Sequence, residues 1–515
     1  MGIWTFYFLA KLYLHYRGYV RLDVLLNLLF LAFIVFPLPK RFGESTLALM
    51  AKQALAMIIA VLLIWRESWL PDPLHAITML QQNGMPSREY LYQFFLRLLV
   101  PKELAVFTVI AVLSFLVRKY RRSAATGMAV LLLIPLVFVT GEHGRRSPDE
   151  VDAHVRSFFN AESMRVIRPV PPQATSRDFD ILILHICSLA WDDLRELGMQ
   201  DHPFFKQFDF LFTNFNTVTT YSNPAAIRLL NGNCGQRRHA DLYNTLPGDC
   251  SLMKGLGHQG YAIRFSRNHN GTYGKFDQEL RQLGHLDAAP FAPSNLEARK
   301  YMFDDTPVYA DYDVLEQWWK NRLRSSEKKV ALYYNSVSLH DGSHWTDDRE
   351  WWKRDNREQY REFLQSLLDD LSRFMGTLAA SGRDVLVIVA GEHGRAVRGN
   401  AIETPGLRDI PLPRITIVPV GLKLISKDRR TGAAGRNMII DKPSSYLSLA
   451  FTIEAFAGQS PFVTDRYATR AFIDSIPQTS FAAENQNNLV VKMDDEYYFY
   501  GKERKWIYLS REALK

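Results

Sequence analysis

VLVIVAGEHGR (385–395) is a six-residue apolar run closed by two glycines that bracket a carboxylate and an imidazole. A run of that length bounded by glycine reads as a strand buried on both faces, as in a parallel sheet. DFDILILHIC (178–187) and VALYYNSVSL (330–339) have the same character, and ITIVPVGLKLI (415–425) supplies a fourth strand. Helical patterns alternate with them at PAAIRLLNG (224–232), at 355–382, and at PSSYLSLAFTIEAFAG (443–458), where Pro443 suits a helix start. Strands alternating with helices predict a doubly wound α/β domain. The tail, LVVKMDDEYYFYGKERKWIYL (489–509), reads as a hairpin or three-stranded ribbon closing a sheet edge.

The chain before this domain differs in kind. Four segments, roughly 22–38, 46–65, 103–118 and 122–140, are apolar enough to span a membrane, the shortest with help from tilt or from snorkelling of Lys52 and Arg118. The first 20 residues lack a small-residue cleavage site and read as an interfacial helix rather than a signal peptide, with a fifth span as the alternative. The basic stretches LPKR (38–41) and RKYRR (118–122) place those loops in the cytoplasm and deliver everything after residue 145 to the other side. REYLYQFFLRLLV (88–100) then lies along the outer membrane surface. The net charge of +8 is explained by these flanks, and no basic stripe interleaved with aromatics suggests nucleic acid. The expected organisation is a transmembrane domain at 1–144, a linker at 145–177 stiffened by RPVPPQ, and an extracytoplasmic catalytic domain at 178–515.

The chain has 3 cysteines. Cys234 and Cys250 flank a polar loop and could close it as a disulfide, which on the chain-entropy model stabilises by about 3 kcal/mol. Cys187 is left over. It stands at the end of DFDILILHIC, and Glu392–His393 follow VLVIVAG, so a doubly wound sheet brings all three to its carboxyl rim, where ligands bind. A thiolate, a carboxylate and an imidazole suit zinc with one position open, and the thiolate disfavours magnesium or calcium. Ser222 in TYSNPAAIRLL sits where a helix begins, so a phosphate on its hydroxyl would meet the helix N-terminus. Each residue has an ordinary reading too: a small hydrophobe, a helix cap, a surface pair. Their joint placement at strand and helix ends favours chemistry.

HICSLAW, TYSNPAAIRLL, SLHDGSH, GEHGRAVRG and GLRDIPLP, in this order after a membrane-spanning region, resemble the bacterial cellulose phosphoethanolamine transferases of the alkaline phosphatase and sulfatase superfamily. The resemblance covers nearly the whole chain. It implies one zinc ion held by Cys187, Glu392 and His393 with Ser222 as nucleophile, and His340 in proton transfer. It also implies that Tyr221 and Arg408 line the site, and that Cys234–Cys250 is a disulfide. The reaction implied is transfer of phosphoethanolamine from phosphatidylethanolamine to the 6-hydroxyl of glucose units in cellulose, through a phosphoserine-type intermediate. The implied setting is the inner membrane, multi-pass, with a periplasmic catalytic domain serving the cellulose synthase complex. Trp345 and His344, close to His340, are the expected glycan contacts. Two alternatives stand beside this: a phosphoethanolamine or phosphoglycerol transferase acting on another envelope glycan or lipid A, and a non-catalytic organiser of cellulose export. A sulfatase fits poorly, because the position two after Pro224 is Ala226 rather than the arginine its maturation motif needs.

GEHGR occurs a second time at 141–145, after the apolar run LLLIPLVFVT. It leaves a membrane segment rather than a buried strand and has no partner ligand but His154, so the repeat is read as coincidence.

Overall fold

The computed structural model describes residues 2–37, 45–70, 86–98, 101–116, 127–132, 146–173, 177–244, 246–400, 402–426, 435 and 437–514. The first GEHGR and both basic loops used for the orientation argument lie outside these residues.

Seven strands form the central sheet: β1 (Asp180–Ile186), β2 (Phe210–Asn216), β3 (Ala262–Arg267), β4 (Val330–Ser336), β5 (Val385–Gly391), β6 (Ile417–Ile425) and β7 (Met438–Ile440). Their order is β7-β2-β6-β5-β1-β4-β3. β6 runs antiparallel to both β2 and β5, while the other pairings are parallel. The carboxyl ends of β1, β2, β3, β4 and β5 therefore share one rim. Alternation along β1 decides which side chain goes where: Ile181 and Ile183 enter one core, Leu182, Leu184 and Ile186 the other. The first core is covered by helices Ser222–Leu230, Leu252–His258 and Tyr446–Gly458. The second is covered by Asp311–Arg324, bearing the buried Trp318 and Trp319, and by Asn356–Ala380. Burying each large apolar side chain contributes roughly 1.5–3 kcal/mol, so covering both faces fixes the strands and with them the rim. This is the expected doubly wound α/β arrangement.

Two expectations about the soluble part are corrected. The tail does not close an edge of this sheet. Its strands Leu489–Met493, Glu496–Tyr500 and Trp506–Leu509 join Ala482–Glu484 in a separate four-stranded antiparallel sheet. The linker is not a free tether. Helix Pro148–Ser163, started by a Ser147/Glu150 capping box, buries Val151, Val155 and Phe159 against that second sheet. Beyond it, Ile167 N–H donates to the Asn233 carbonyl and Gln173 N–H to that of Gly458. An apolar stripe at four-residue spacing needs a partner, and the tail sheet provides it.

The membrane portion differs as well. Among the described residues one helix, Thr46–Glu67, is long and apolar enough to cross a membrane, where four spans were expected. Its 22 residues rise about 33 Å, matching a hydrocarbon core of about 30 Å. Val24–Val35 has 12 residues, a rise of about 18 Å. Pro101–Leu116 continues Arg88–Leu98 after a bend of 71°. Residues 127–132 are helical, and the rest of the fourth segment lies outside the described residues. The opening residues form helix Gly2–Tyr16, which buries Trp4 and Phe8 against Phe30 rather than lying free at an interface. Its Lys11 Nζ pairs with Glu67 at 2.6 Å and donates to Asn27 Oδ1 at 2.7 Å, so neither of these two buried charges is left alone.

Candidate metal centre and active site

β1 ends at Ile186, and the next residue, Cys187, is fixed by its N–H to the Ser336 carbonyl at the end of β4. Glu392, just past β5, is fixed by its N–H to the Ile186 carbonyl. The glycines of GEHG are there for room. A Cβ on Gly391 would stand 2.2 Å from the Leu189 carbonyl oxygen, and one on Gly394 would stand 2.8 Å from Ala190 Cβ. Only bare backbone lets this turn nest against the one after β1.

The nesting brings one ligand atom each from Cys187, Glu392 and His393 within 4.8 Å of one another, all buried. Cys187 Sγ is 3.8 Å from His393 Nε2, and that nitrogen is 4.0 Å from Glu392 Oε2. Glu392 Oε1 accepts from Asn335 Nδ2 at 2.5 Å, whereas the buried Oε2 has no hydrogen-bond partner. An orphaned buried carboxylate oxygen facing a thiol and an imidazole is a donor set that could hold a metal ion. Burial pushes the Glu392 carboxyl up to about 8 and the Cys187 thiol up to about 12, and it drives the His393 imidazole well below its usual value. A divalent cation at the centre would remove the penalty on the thiolate and the carboxylate.

Ser222 stands beside this cluster. Its Oγ lies 3.4 Å from Cys187 Sγ and 3.3 Å from His393 Nε2. Ser222 opens helix Ser222–Leu230, so the first-turn N–H groups point toward the same space. With Nε2 turned to the centre, His393 Nδ1 lies 2.9 Å from the Gly394 carbonyl and 3.0 Å from Arg408 Nη1, contacts that fix the ring. Asn335 fixes the carboxylate in turn, being held by His269 Nε2 on its own Oδ1 at 2.8 Å.

A cavity of about 1160 Å³ opens over the centre, and Tyr221, Ser222, His340, His393 and Arg408 all line it. Arg408 Nη1 lies 3.4 Å from Ser188 Oγ, and Thr220 and Asn485 hold the Arg408 carbonyl. His340 Nδ1–H donates to the Asp341 carbonyl at 2.8 Å, which leaves Nε2 as the basic nitrogen. Burial and then the Arg408 charge push His340 down to about 4, so it is neutral at physiological pH.

The chain matches two family models. Residues 140–506 match "Cellulose biosynthesis protein BcsG C-terminal domain", and residues 4–136 match the corresponding N-terminal domain. The chain belongs to the BcsG family. The cellulose biosynthesis protein BcsG of Escherichia coli (strain K12) is 30% identical over 545 residues, spanning 98% of this chain and 95% of that protein. The protein of the same name from Salmonella typhimurium is 29% identical over 547 residues, with the same coverage. A protein in the alkaline phosphatase superfamily from Vibrio parahaemolyticus has a solved structure that covers 71% of this chain and 88% of its own. It aligns with a TM-score of 0.46 at 12% identity.

Of the residues singled out in the sequence, seven converge at this centre, and Cys234–Cys250 is a disulfide. Trp345 and His344 are elsewhere. They form a short strand paired with Lys300–Tyr301, where Trp345 Nε1–H donates to Glu362 and His344 stacks on Trp351 at 4.6 Å. Neither lines the cavity. A two-residue strand fixes their direction, and proximity to His340 in the sequence does not translate into proximity to Ser222.

Two parts of the centre went unforeseen. Asn335 is the polar residue that interrupts the apolar run of β4, and that interruption was its signal. The second is helix Arg88–Leu98. Tyr90 Oη–H donates to Asp341 at 3.1 Å and Arg97 Nη1 pairs with it at 2.9 Å, while Arg395 Nη2 reaches its other oxygen at 2.9 Å. Burial alone would raise the Asp341 carboxyl, but the Arg97 and Arg395 charges outweigh it and hold the group well below the usual range. Gly342, at φ +75°, leaves the space that the Tyr90 ring fills. Tyr90 also packs on Phe303, which stacks on His340 at 5.3 Å. A helix from the N-terminal region thus buttresses the loop that carries His340.

Proposed function

We propose that the chain is a zinc-dependent transferase that moves phosphoethanolamine from phosphatidylethanolamine to the 6-hydroxyl of glucose units in cellulose. In this reading it is anchored in the bacterial inner membrane, works on the periplasmic side, and serves the cellulose synthase complex. The observation that carries it is the Ser222 hydroxyl at 3.3–3.4 Å from two members of a buried thiol–carboxyl–imidazole cluster, at a helix N-terminus. The cavity above it reaches the N-terminal region at Arg21, Trp69 and Tyr90, which suits a donor drawn from lipid.

Cys187, Glu392 and His393 would hold the zinc ion. When bound it lowers the pKa of the serine hydroxyl and offsets charge on the phosphoryl oxygens. Ser222 Oγ bonds to phosphorus as the bond to the diacylglycerol oxygen breaks, and the serine proton ends on that leaving oxygen. In the second displacement the glucose oxygen bonds to phosphorus and Ser222 Oγ leaves, regaining a proton from the acceptor. His340, neutral and with Nε2 unprotonated, takes the acceptor proton and passes it on. Arg408 and the first-turn N–H groups bind the phosphoryl oxygens in both steps. Tyr221, which burial and the Asp409 charge hold in its phenol form, lines the cavity beside the nucleophile.

The test uses full-length protein in micelles with zinc, a fluorescent phosphatidylethanolamine and a soluble cello-oligosaccharide. Release of fluorescent diacylglycerol together with a phosphoethanolamine-bearing glucan is expected, and Ser222→Ala abolishes both. Diacylglycerol release that survives in Ser222→Ala contradicts the reading.

A further inference from the structure

The cavity is built around an anion: Arg408, a helix N-terminus and the cation that Cys187, Glu392 and His393 would hold all favour negative charge near Ser222. One carboxylate in its lining runs against this. Asn223, immediately after the nucleophile, donates Nδ2 to Glu279 Oε2 at 2.8 Å and to the Gly274 carbonyl at 2.8 Å. Glu279 comes from helix Phe276–Gln282, is half-buried, and lines the cavity with Asn223.

Among the described residues, most cavity carboxylates are neutralised. Glu67 pairs with Lys11, Asp341 with Arg97 and Arg395, Glu484 with Arg238, and Glu503 with Arg21. Asp409 accepts from the Asn488 amide at 2.7 Å. Among the described residues Glu279 makes no ion pair, although burial raises its carboxyl and the Asn223 hydrogen bond and Lys275 charge partly offset this, and it is the one tied to the residue next to Ser222. Beside a bound phosphate such a charge is a repulsive neighbour, and in a partly desolvated site the repulsion is poorly screened. A donor that carries a cation two carbons from its phosphate turns the same carboxylate into an attraction. Tyr243 and Tyr273 line the same cavity, and aromatic rings are favourable neighbours for an ammonium. Tyr243 feels the carboxylate directly, since burial and the Glu279 charge together raise its phenol to about 12.

We infer that Glu279, held by Asn223 and accompanied by Tyr243 and Tyr273, is the subsite for the primary ammonium of the donor headgroup and selects ethanolamine over uncharged headgroups. This rests on the transferase reading of Ser222. Glu279→Gln is the informative variant, because its side-chain oxygen still accepts from Asn223 while the charge is gone.

Zinc-loaded full-length protein and Glu279→Gln are compared on phosphatidylethanolamine, phosphatidylglycerol and 4-nitrophenyl phosphate. The variant keeps the zinc content and the 4-nitrophenyl phosphate activity of the parent. Its KM for phosphatidylethanolamine rises about tenfold or more, the worth of one hydrogen bond to a charged group, and its preference over phosphatidylglycerol falls by the same factor. Equal losses on all three donors, or a headgroup preference unchanged by the substitution, overturn the ammonium subsite and leave the transferase reading standing. A parent protein that shows no preference for phosphatidylethanolamine overturns both.

Discussion

The two sides of Ser222 are held in place by different means. On one side Cys187, Glu392 and His393 each stand within two residues of a strand end, and the backbone of Cys187 and Glu392 is pinned to neighbouring strands of the same sheet. On the other side His340 rides on a loop after β4 whose anchor, Asp341, is clasped by Arg97 and Tyr90 from a helix more than two hundred residues earlier. The first side is rigid because the sheet is rigid. The second is held by Arg395 and, in addition, by the docked N-terminal helix. Metal binding should therefore belong to the catalytic domain alone, and proton transfer to the whole chain.

That contrast can be broken at several points. Cys187→Ala strikes the strand side. It should leave less than one zinc per chain by elemental analysis and lower diacylglycerol release by about a thousandfold or more, since the nucleophile loses its activation. Asn335→Ala leaves the donors but frees Glu392. Zinc affinity measured by chelator competition should fall by about 10- to 100-fold, the usual cost of losing a residue that orients a ligand.

Arg97→Met strikes the loop side, where Asp341 would keep Arg395 but lose the clasp. The expected result is a fall in kcat of about tenfold with zinc content unchanged, and with the acidic limb of the kcat profile displaced because His340 is no longer held. Loss of zinc in this variant would show that the two sides are not separable.

The smallest effect concerns acid. His340 and His269 are each pushed down to about 4, by burial first. Between the unfolded value of about 6.5 and about 4, the unfolded chain binds protons that the folded chain does not. Stability is thus full above that window and is lost as pH falls through it, by up to about 1.4 kcal/mol per pH unit for each histidine. The melting temperature should drop on going from pH 6.5 to 4.5, and His269→Gln should flatten that slope.

The same contrast explains what the sequence made legible. β1, β4, β5 and β6 are largely apolar runs, and the residues that follow β1, β5 and β4 are the candidate metal donors and the His340 loop, so reading the strands nearly locates the site. β2 was missed because Thr213 and Asn214 interrupt it, and β3 because AIRFSR alternates with arginine at a sheet edge. The four expected spans rested on composition, which does not reveal that helix Val24–Val35 stops after 12 residues. Trp345 and His344 were drawn in by proximity along the chain, yet pairing with Lys300–Tyr301 holds them elsewhere. The Arg97–Asp341 clasp leaves no local trace, because two charged residues far apart in sequence meet only after both domains have folded.

The central claim is that Ser222 becomes covalently modified at a zinc-bearing centre. Intact-mass analysis of zinc-replete full-length protein, incubated with phosphatidylethanolamine and no glucan acceptor, tests it most directly. One phosphoethanolamine adduct per chain is expected, mapping to Ser222 after digestion and lost when a cello-oligosaccharide is added. Metal-replete protein that releases diacylglycerol without ever carrying an adduct would contradict it.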